Sequence, residues 1–455
     1  MNENGRRTKS LGVLYLMIVP LLTAALLTNQ LSPAQAHVAE TACVTVAAQV
    51  TGANASASDF WFASIDDAGG KITFASYHDI GGQNPSGQSR LMAYDIAADS
   101  FTRLNDENLG IIEMTANGDA SLLAFASNLD LVGTNADLSL EVFLHDVISD
   151  TITQVTDSPH GGTDIFSRVP IISGDGLQVV FLSSDDHTGS NPGGSVQTFL
   201  YDLAGDSFTQ LTNVTGDAGD ANNWAFSGAL SADGARVLIS APADLAGQNP
   251  EEDRELFLYD TATLTYTQVT STTASTFPII LFGYGSPMSA DGNRVVYVAN
   301  YDPTGGNPDG LGEVFLYDAN TLSTTQVTDI PLLGGYPSGA HISGNGEKVA
   351  FNATADLTGG NGDANNEVFL YDIATGQITQ LTDTLLDPLL YETLIFNDID
   401  FDGDRLIYSR FLEDDFFLNN SSTLEYIDIL EEGQVFCPGT PLFNLYLPTL
   451  VGASP

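Results

Sequence analysis

Apolar and polar residues recur in one pattern seven times along the chain. An apolar strand ends in Tyr-Asp or a close variant at Asp95, Asp146, Asp202, Asp260, Asp318, Asp372 and Asp428. Successive intervals between these aspartates are 51, 56, 58, 58, 54 and 56 residues. A repeat of this length far exceeds a heptad and matches a unit of four β-strands with long loops.

Each unit contains the same series of predicted elements. A hairpin signal, such as SGDG at 173–176 or SADG at 231–234, precedes a β-rich run such as RVLIS. Asp-Gly predicts a two-residue β-turn because glycine tolerates positive φ. A long polar loop, the FLYD strand, a short turn and a strand ending in QVT or QLT follow. No helical period occurs, so we expect four antiparallel strands per unit.

The units must stack on each other, since no single unit can bury both faces of its sheet. Stacking around an axis leaves few open sheet edges. We therefore predict an all-β fold, a seven-bladed β-propeller of four-stranded antiparallel blades over residues 37–437. Six blades plus a degenerate terminal unit is the alternative, because the seventh copy is the weakest. A linear stack of β units is a second alternative.

The order S-x-D-G, apolar strand, Tyr-Asp strand and QLT resembles the TolB-type, WD-repeat-like β-propeller family. The resemblance covers almost all of the chain after residue 36. It implies protein or ligand binding in the cell envelope without a cofactor. The family also supplies the propeller part of some serine peptidases, but the sequence has no G-x-S-x-G elbow.

The N-terminal segment predicts export. A basic stretch at residues 6–9 precedes a largely apolar run at 11–27, and the small-x-small sequence Ala-Gln-Ala follows at 34–36. This arrangement is typical of a signal peptide, here residues 1–36. A retained anchor is the alternative. We expect a secreted, periplasmic or cell-surface protein without a membrane span after signal cleavage.

Charge narrows the class of partner. With 58 acidic and 13 basic residues, the formal net charge is -45. Nucleic acid and anionic membrane surfaces both require clustered basic residues, so we exclude them as partners. A monomer that binds a protein or a glycan at the cell envelope is expected.

The two cysteines, Cys43 and Cys437, stand at the two ends of the repeats. In an oxidising compartment they predict a disulfide that joins the first and last strands of the ring. Such a disulfide would close a loop of about 395 residues, which stabilises the folded protein by about 6 kcal/mol in the chain-entropy treatment. Two free thiols are the alternative. The C-terminal tail, residues 438–455, is either a surface-attachment signal or an extra strand.

A repeated loop motif predicts oxygen ligands. Six copies of the loop between the second and third strands contain Asp, Gly three residues on and Asn five residues on. Four copies add an acid and a Glu, which gives these candidate calcium ligands: Asp130, Asn135, Asp137, Glu141, Asp244, Asn249, Glu251, Glu255, Asp302, Asn307, Asp309, Glu313, Asp356, Asn361, Asp363 and Glu367.

A structural latch is the alternative to calcium, with Asp and Asn bound to nearby backbone groups. The first copy favours the latch for the Asp-Gly-Asn part. It keeps Asp79, Gly82 and Asn84 but has Ser86 and Arg90 where the acids would be. No other cofactor is predicted.

The long loops and the connections between blades should emerge on one face, here called the loop face; the short turns form the opposite turn face. The loop face is the predicted binding surface. Its candidate ligand contacts are His160, Arg168, Trp224, Phe277, Tyr284, Tyr336, His341 and Tyr391. The apolar connections 277–284, 330–337 and 385–396 are either an exposed patch on this face or buried innermost strands.

The sequence contains few combinations of residues typical of catalysis, and the six histidines do not have the spacing of metal ligands. We therefore expect an exported, non-catalytic propeller that binds a protein or another ligand through its loop face. The alternative is a propeller enzyme, a lyase or glycoside hydrolase, that acts on extracellular polysaccharide with acids near the central channel.

Overall fold

The computed structural model describes residues 43–49, 62–158, 166–216, 219–272, 286–331, 335–384, 390–414 and 421–430. The chain divides into two units, residues 1–41 and 42–455, and the described residues all belong to the second. The predicted signal peptide, the predicted tail and Cys437 lie outside the described residues. The disulfide therefore stays a prediction.

The described strands form seven antiparallel sheets. The first three blades follow chain order. They contain, in turn, β2 (Ser64–Ile65), β3 (Lys71–Ser76), β4 (Arg90–Asp95) and β5 (Ser100–Arg103); β6 (Glu113–Ala116), β7 (Leu122–Ser127), β8 (Glu141–Asp146) and β9 (Thr151–Gln154); and β10 (Ser167–Ile172), β11 (Gln178–Ser183), β12 (Gln197–Asp202) and β13 (Ser207–Gln210).

Blades four to six repeat this order. Their strands are β14 (Phe226–Leu230), β15 (Arg236–Pro242), β16 (Arg254–Asp260) and β17 (Thr265–Gln268); β18 (Arg294–Ala299), β19 (Glu313–Asp318) and β20 (Ser323–Gln326); and β21 (Pro337–Ile342), β22 (Lys348–Ala353), β23 (Glu367–Asp372) and β24 (Gln377–Gln380). In blade five a bridge between Met288 and Val295 marks the position of the innermost strand. Residues 273–285, just before it, lie outside the description.

The seventh blade joins the two ends of the ring. It contains β25 (Leu390–Ile399), β26 (Arg405–Asp414), β27 (Ser421–Leu430) and, as its outermost strand, β1 (Cys43–Gln49). β1 runs antiparallel to β27, with Cys43 opposite Leu430 and Gln49 opposite Glu425. The predicted seven-bladed propeller is confirmed, and the six-bladed alternative is wrong. The seventh copy looked weak because its fourth strand comes from the other end of the sequence.

The core lies between neighbouring blades. The phenylalanines of the FLYD strands are fully buried: Phe143, Phe199, Phe257, Phe315 and Phe369. Several stack on a ring from the second strand of the same blade, as Phe125 does on Phe143 at 5.6 Å between centroids. Each apolar cluster combines two adjacent blades; one contains Val296 and Val314 of blade five with Val349 and Phe369 of blade six. Apolar burial therefore holds the blades to each other.

The S-x-D-G turns are longer than the predicted two-residue type. In the third blade the Gly176 amide donates to the Ser173 carbonyl, and the Ser173 hydroxyl accepts from the amides of Leu177 and Gln178. Gly176 has φ 74°, the left-handed conformation that follows a type I turn in longer hairpin loops. The prediction of a two-residue turn was wrong, because the motif is built around the serine side chain as well as the glycine.

Helix is confined to two short 3-10 segments among the described residues, Ile80–Gly82 and Ala221–Asn223. None of the helical segments in this part of the chain has the length and apolar content needed to cross a membrane.

Candidate functional site: the central channel and its mouth

The innermost strands surround a channel whose end on the turn face is ringed by backbone hydrogen bonds. A backbone amide of each of these turns donates to a carbonyl in the turn of the next blade, from Asp67 to Gly118, Gly118 to Gly174, Asp175 to Ala232, Ala232 to Ala290, Ala290 to Gly344 and Asn345 to Phe401, at 2.7–2.9 Å. The Phe401 amide bonds to the Asp67 carbonyl at 3.4 Å and completes the circle. A Cβ at Gly118 would lie 2.3 Å from Asp67 Oδ2. Gly118 therefore has to be small where it approaches Asp67.

Basic side chains join adjacent blades on the same face. Arg236 Nη1 donates to the Gly292 carbonyl of the next blade at 3.3 Å, and Lys348 Nζ donates to that of Gly403 at 3.2 Å. The Arg294 and Arg405 guanidinium groups reach the carbonyls of Gly346 and Gly69 in the same way. Four of the few cations in this acidic protein thus hold the ring together on the turn face.

A cavity of about 140 Å³ lies in the channel, and residues from all seven blades line it. Asp398, near the end of β25, is its most enclosed carboxylate. Its Oδ2 accepts from Ser64 Oγ at 3.0 Å and from the Ile65 amide at 3.2 Å. Its Oδ1 accepts from Ser286 Oγ at 3.2 Å and from the Ile399 amide at 3.0 Å. One side chain of blade seven therefore connects blades one and five across the channel.

Burial raises the pKa of Asp398 from 3.8 to about 6, and its hydrogen bonds oppose that rise only in part. Asp67, which also lines the cavity, has a raised pKa because of its own burial and then because of Asp66 and Asp119. Perturbed carboxyls in a cavity are features of functional sites, although structural networks perturb carboxyls as well.

His341 is buried in β21, not displayed on the loop face. It is 1% exposed, and its Nδ1 accepts a hydrogen bond from the Ser286 amide at 2.9 Å. Burial lowers the pKa of His341 to about 3, so the ring is neutral at ordinary pH. It joins blades five and six.

Arg168 lies in the innermost strand of blade three, towards the loop face. Its guanidinium pairs with Glu113 of blade two, and the Val169 amide donates to Glu113 Oε2 at 2.7 Å. Val169 has φ 52°, which is unusual for a β-branched residue, and β10 bulges at this point. The Arg168 side chain remains 35% exposed. The pair holds a strained stretch of backbone and leaves part of the guanidinium accessible.

An aromatic group lies beside this pair at the loop-face ends of β10 and β14. Trp224 is 5.2 Å from Phe166 and 5.6 Å from Phe226 between ring centroids, and all three side chains are half-buried. Arg254 lies over the Phe226 ring at 5.1 Å and donates to the Trp224 carbonyl. Because β10 and β14 run from the loop face towards the ring of turns, this aromatic group lies on the loop face, where these two innermost strands begin.

The repeated Asp-x-x-Gly-x-Asn loops are closed by their own side chains. In all six copies the Asp Oδ1 accepts a hydrogen bond from the backbone amide of the Asn, at 2.7–3.1 Å. The Asn Nδ2 then donates to two carbonyls at the two ends of the loop, as Asn249 does to Ala243 at 3.0 Å and Asp253 at 2.7 Å. These contacts form the latch that was the alternative to calcium.

The glutamates of these loops begin the third strands and are buried. In blade two the Glu141 side chain accepts from Thr156 Oγ1, which in turn accepts from the Val142 amide. The same threonine bridge occurs with Glu255, Glu313 and Glu367. Blade three makes it with Gln197 in place of Glu, so the bridge itself requires no charge. Burial raises the pKa of Glu141, Glu313 and Glu367.

The predicted calcium ligands do not assemble into acidic clusters. Within the described ranges, no group of three or more His, Cys, Asp or Glu side chains is placed to hold a metal ion. Calcium also uses amide and backbone oxygens as ligands. Calcium binding by these loops stays a prediction.

The other candidate ligand contacts are dispersed. Tyr336 is 66% exposed, just before β21, and Tyr391 lies in β25 with its side chain outside the description. His160, Phe277 and Tyr284 lie in undescribed segments. Of the three apolar connections, 330–337 buries Ile330 and leads into β21, while residues 390–396 belong to the innermost strand β25.

Five residues of the site were not predicted from the sequence: Asp398, Glu113, Phe166, Phe226 and Arg254. An acid within the apolar stretch LIFNDI was the available signal for Asp398, because a carboxylate in a buried strand requires partners. The aromatic group had no such signal, since its members come from two blades.

No family model and no curated protein matches the chain. Among solved structures, it resembles oligogalacturonate lyase from Vibrio parahaemolyticus, with 11% identity, TM-score 0.51 and coverage of 84% of this chain and 93% of that one. A prolyl endopeptidase matches with 13% identity, TM-score 0.51 and coverage of 84% and 51%. TolB from Acinetobacter baumannii matches with 17% identity and TM-score 0.40, over 69% of this chain and 63% of TolB.

The chain shares the β-propeller fold. At these identities the similarities establish the fold alone, and the TolB match, which spans less than two thirds of TolB, is too distant to add to it. A lyase and an endopeptidase both contain this fold, so it does not by itself indicate an activity.

Proposed function

We propose that this protein is an exported, non-catalytic propeller that binds a protein or glycan at the loop-face mouth of its channel. The observation that supports this most is the half-buried group Phe166, Trp224 and Phe226, next to the partly exposed Arg168. Aromatic rings supply large contact areas at binding sites. The strongly negative charge disfavours anionic ligands. Export rests on the signal-like sequence of residues 1–36.

The turn face supports the proposal by contrast. Its turns bond to each other around the channel, and its basic side chains are occupied by carbonyls of the next blade. A ligand that entered the channel from that side would have to pass the ring of hydrogen-bonded turns, whereas the loop face offers aromatic and guanidinium groups.

The test is ligand capture by residues 37–455 on a glycan array and in a pull-down from envelope extract, followed by affinity measurement for the hit. Trp224→Ala should weaken that affinity about tenfold or more, as is typical of a central aromatic contact. Ile148→Ala, which removes an 87% exposed side chain on the turn face, is the matched control and should leave the affinity unchanged. Equal affinities for both variants and the parent protein would contradict the proposal.

A polysaccharide-cleaving enzyme is the second candidate, because Asp398 and Asp67 both line the channel cavity with raised pKa values. The same glycan hits, incubated with the protein, distinguish the two functions. Shortened products that disappear with Asp398→Asn would favour the enzyme, and intact glycan would favour the binder.

A further inference from the structure

One hydroxyl in blade two lies among three side-chain oxygens of the repeated loop. Ser139 Oγ is 2.5 Å from Glu141 Oε1, 2.9 Å from Asn135 Oδ1 and 3.2 Å from Asp137 Oδ1. A hydroxyl has one proton to donate, so oxygens outnumber donors at this point. Ser158 adds its amide and hydroxyl to Glu141. Asn135, Asp137 and Glu141 thus converge on one place, which a protein hydroxyl fills.

Blade five has the same three residue types at these positions, Asn307, Asp309 and Glu313, but lacks both hydroxyls. Leu311 stands at the position of Ser139 and Ile330 at that of Ser158. Among the described residues, Glu313 accepts only from Thr328 Oγ1 and from the Ile330 amide. The equivalent glutamates of blades two, four and six each accept from at least one further hydroxyl.

The amide of Asn307 is held in a defined orientation. Its Nδ2 donates to the carbonyls of Tyr301 at 3.1 Å and Leu311 at 2.9 Å, as Asn135 Nδ2 does to the corresponding carbonyls in blade two. Its Oδ1 must then face the position that Ser139 Oγ fills in blade two. Asn307 is 2% exposed, and no donor from the described residues reaches this oxygen. A buried acceptor of this kind requires a partner.

Negative charge surrounds the same place. The carboxylates of Asp329 and Asp309 lie close enough to Glu313 to interact with it electrostatically. A latch alone would not require these charges, because Gln197 performs the threonine bridge in blade three. Hard oxygen ligands with excess negative charge are typical of calcium sites on flexible loops.

We propose that the loop of blade five binds a divalent cation of the calcium class through Asn307 Oδ1, Asp309 and Glu313. Backbone carbonyls and water would complete the 6–8 oxygen ligands that calcium takes. Blade six shares the buried, unpartnered Oδ1 atoms of Asn361 and Asn365, but Glu367 already accepts from the Thr384 hydroxyl. Its site should be the weaker of the two.

The experiment uses residues 37–455 stripped with chelator, with calcium binding measured by calorimetry and thermal unfolding followed with and without calcium. We expect binding at one principal site and a Tm several degrees higher with calcium. Glu313→Gln and Asp309→Asn should each weaken calcium binding at least tenfold. Gln197 in blade three indicates that glutamine fits the bridge, so Glu313→Gln should fold.

Two further variants separate a cation site from a latch. Leu311→Ser copies the hydroxyl of blade two and should weaken calcium binding while raising the Tm in chelator. Asp137→Asn in blade two is the matched control and should leave calcium binding unchanged. The proposal is overturned if calcium leaves the Tm of the parent protein unaltered, or if Glu313→Gln and Leu311→Ser bind calcium as the parent does.

Discussion

At the scale of single residues, the polar groups of the innermost strands were the least predictable part of the molecule. Asp398, Thr115 and His341 each bridge to a neighbouring blade, through different chemistry. The sequence repeat does not reveal them, because the residue type changes from copy to copy while the position is kept. By contrast, the Asp-Asn latch of the loops was among the sequence alternatives, since both residue types recur at fixed spacing.

Asp398→Asn should lower stability and flatten its pH dependence. The pKa is raised from 3.8 to about 6, so the folded state holds the proton more tightly than the unfolded state. The contribution of Asp398 to the free energy of unfolding is greatest below about pH 4. It falls by about 3 kcal/mol as the pH rises through 6. Asparagine has no titrating proton, so this pH dependence disappears. Its NH₂ group faces hydrogen-bond donors, however, which lowers the free energy of unfolding by about 1–3 kcal/mol.

Urea unfolding between pH 4 and 7 measures both effects, with Asp402→Asn, an exposed position, as control. Some slope should remain, because burial also raises the pKa of Asp400 to about 6. An unchanged slope in Asp398→Asn would show that Asp398 does not titrate as described.

At the scale of elements, the strands and their order followed directly from the sequence, because apolar runs of one length alternate with turn signals. The turns did not. The serine, aspartate or asparagine at the first position of each turn makes side-chain hydrogen bonds in place of the backbone bonds of a two-residue turn. One buried asparagine side chain holds each long loop in its shape. The number of acidic residues in the sequence does not distinguish such a loop from an ion-binding loop.

Asn249→Ala should destabilise the protein by about 1–3 kcal/mol, because it leaves the carbonyls of Ala243 and Asp253 without their donor. Asn320→Ala, in an exposed turn, should change stability by less than about 0.5 kcal/mol. Chemical denaturation of both variants gives the comparison. Equal stabilities would mean that the buried amide contributes nothing to loop closure.

At the scale of the whole molecule, the repeat count predicted the ring, but not the way in which it closes. The pairing of β1 with β27 joins distant parts of the sequence and has no local signal. Each sequence unit runs from a hairpin signal to a QVT or QLT strand. The seventh copy lacks this last strand, and β1 from the other end of the sequence takes its place.

A chain that begins at residue 50 should be markedly less stable than one that begins at residue 37, since it exposes the edge of β27. A synthetic peptide of residues 43–49, added in excess, should restore part of the lost Tm by pairing with that edge. Thermal unfolding measures both, and a scrambled peptide is the control. Equal Tm values for the two chains would exclude a role for β1 in closure.

The position of β1 also determines when the ring can close during synthesis of the chain. β1 leaves the ribosome before β27 and can find this partner only after β27 has been translated, a delay on the order of tens of seconds at about 5–20 residues per second. During that interval the earlier sheets can form, but the circle stays open. The ring of such a chain therefore closes in a single late step, after all seven blades have been translated.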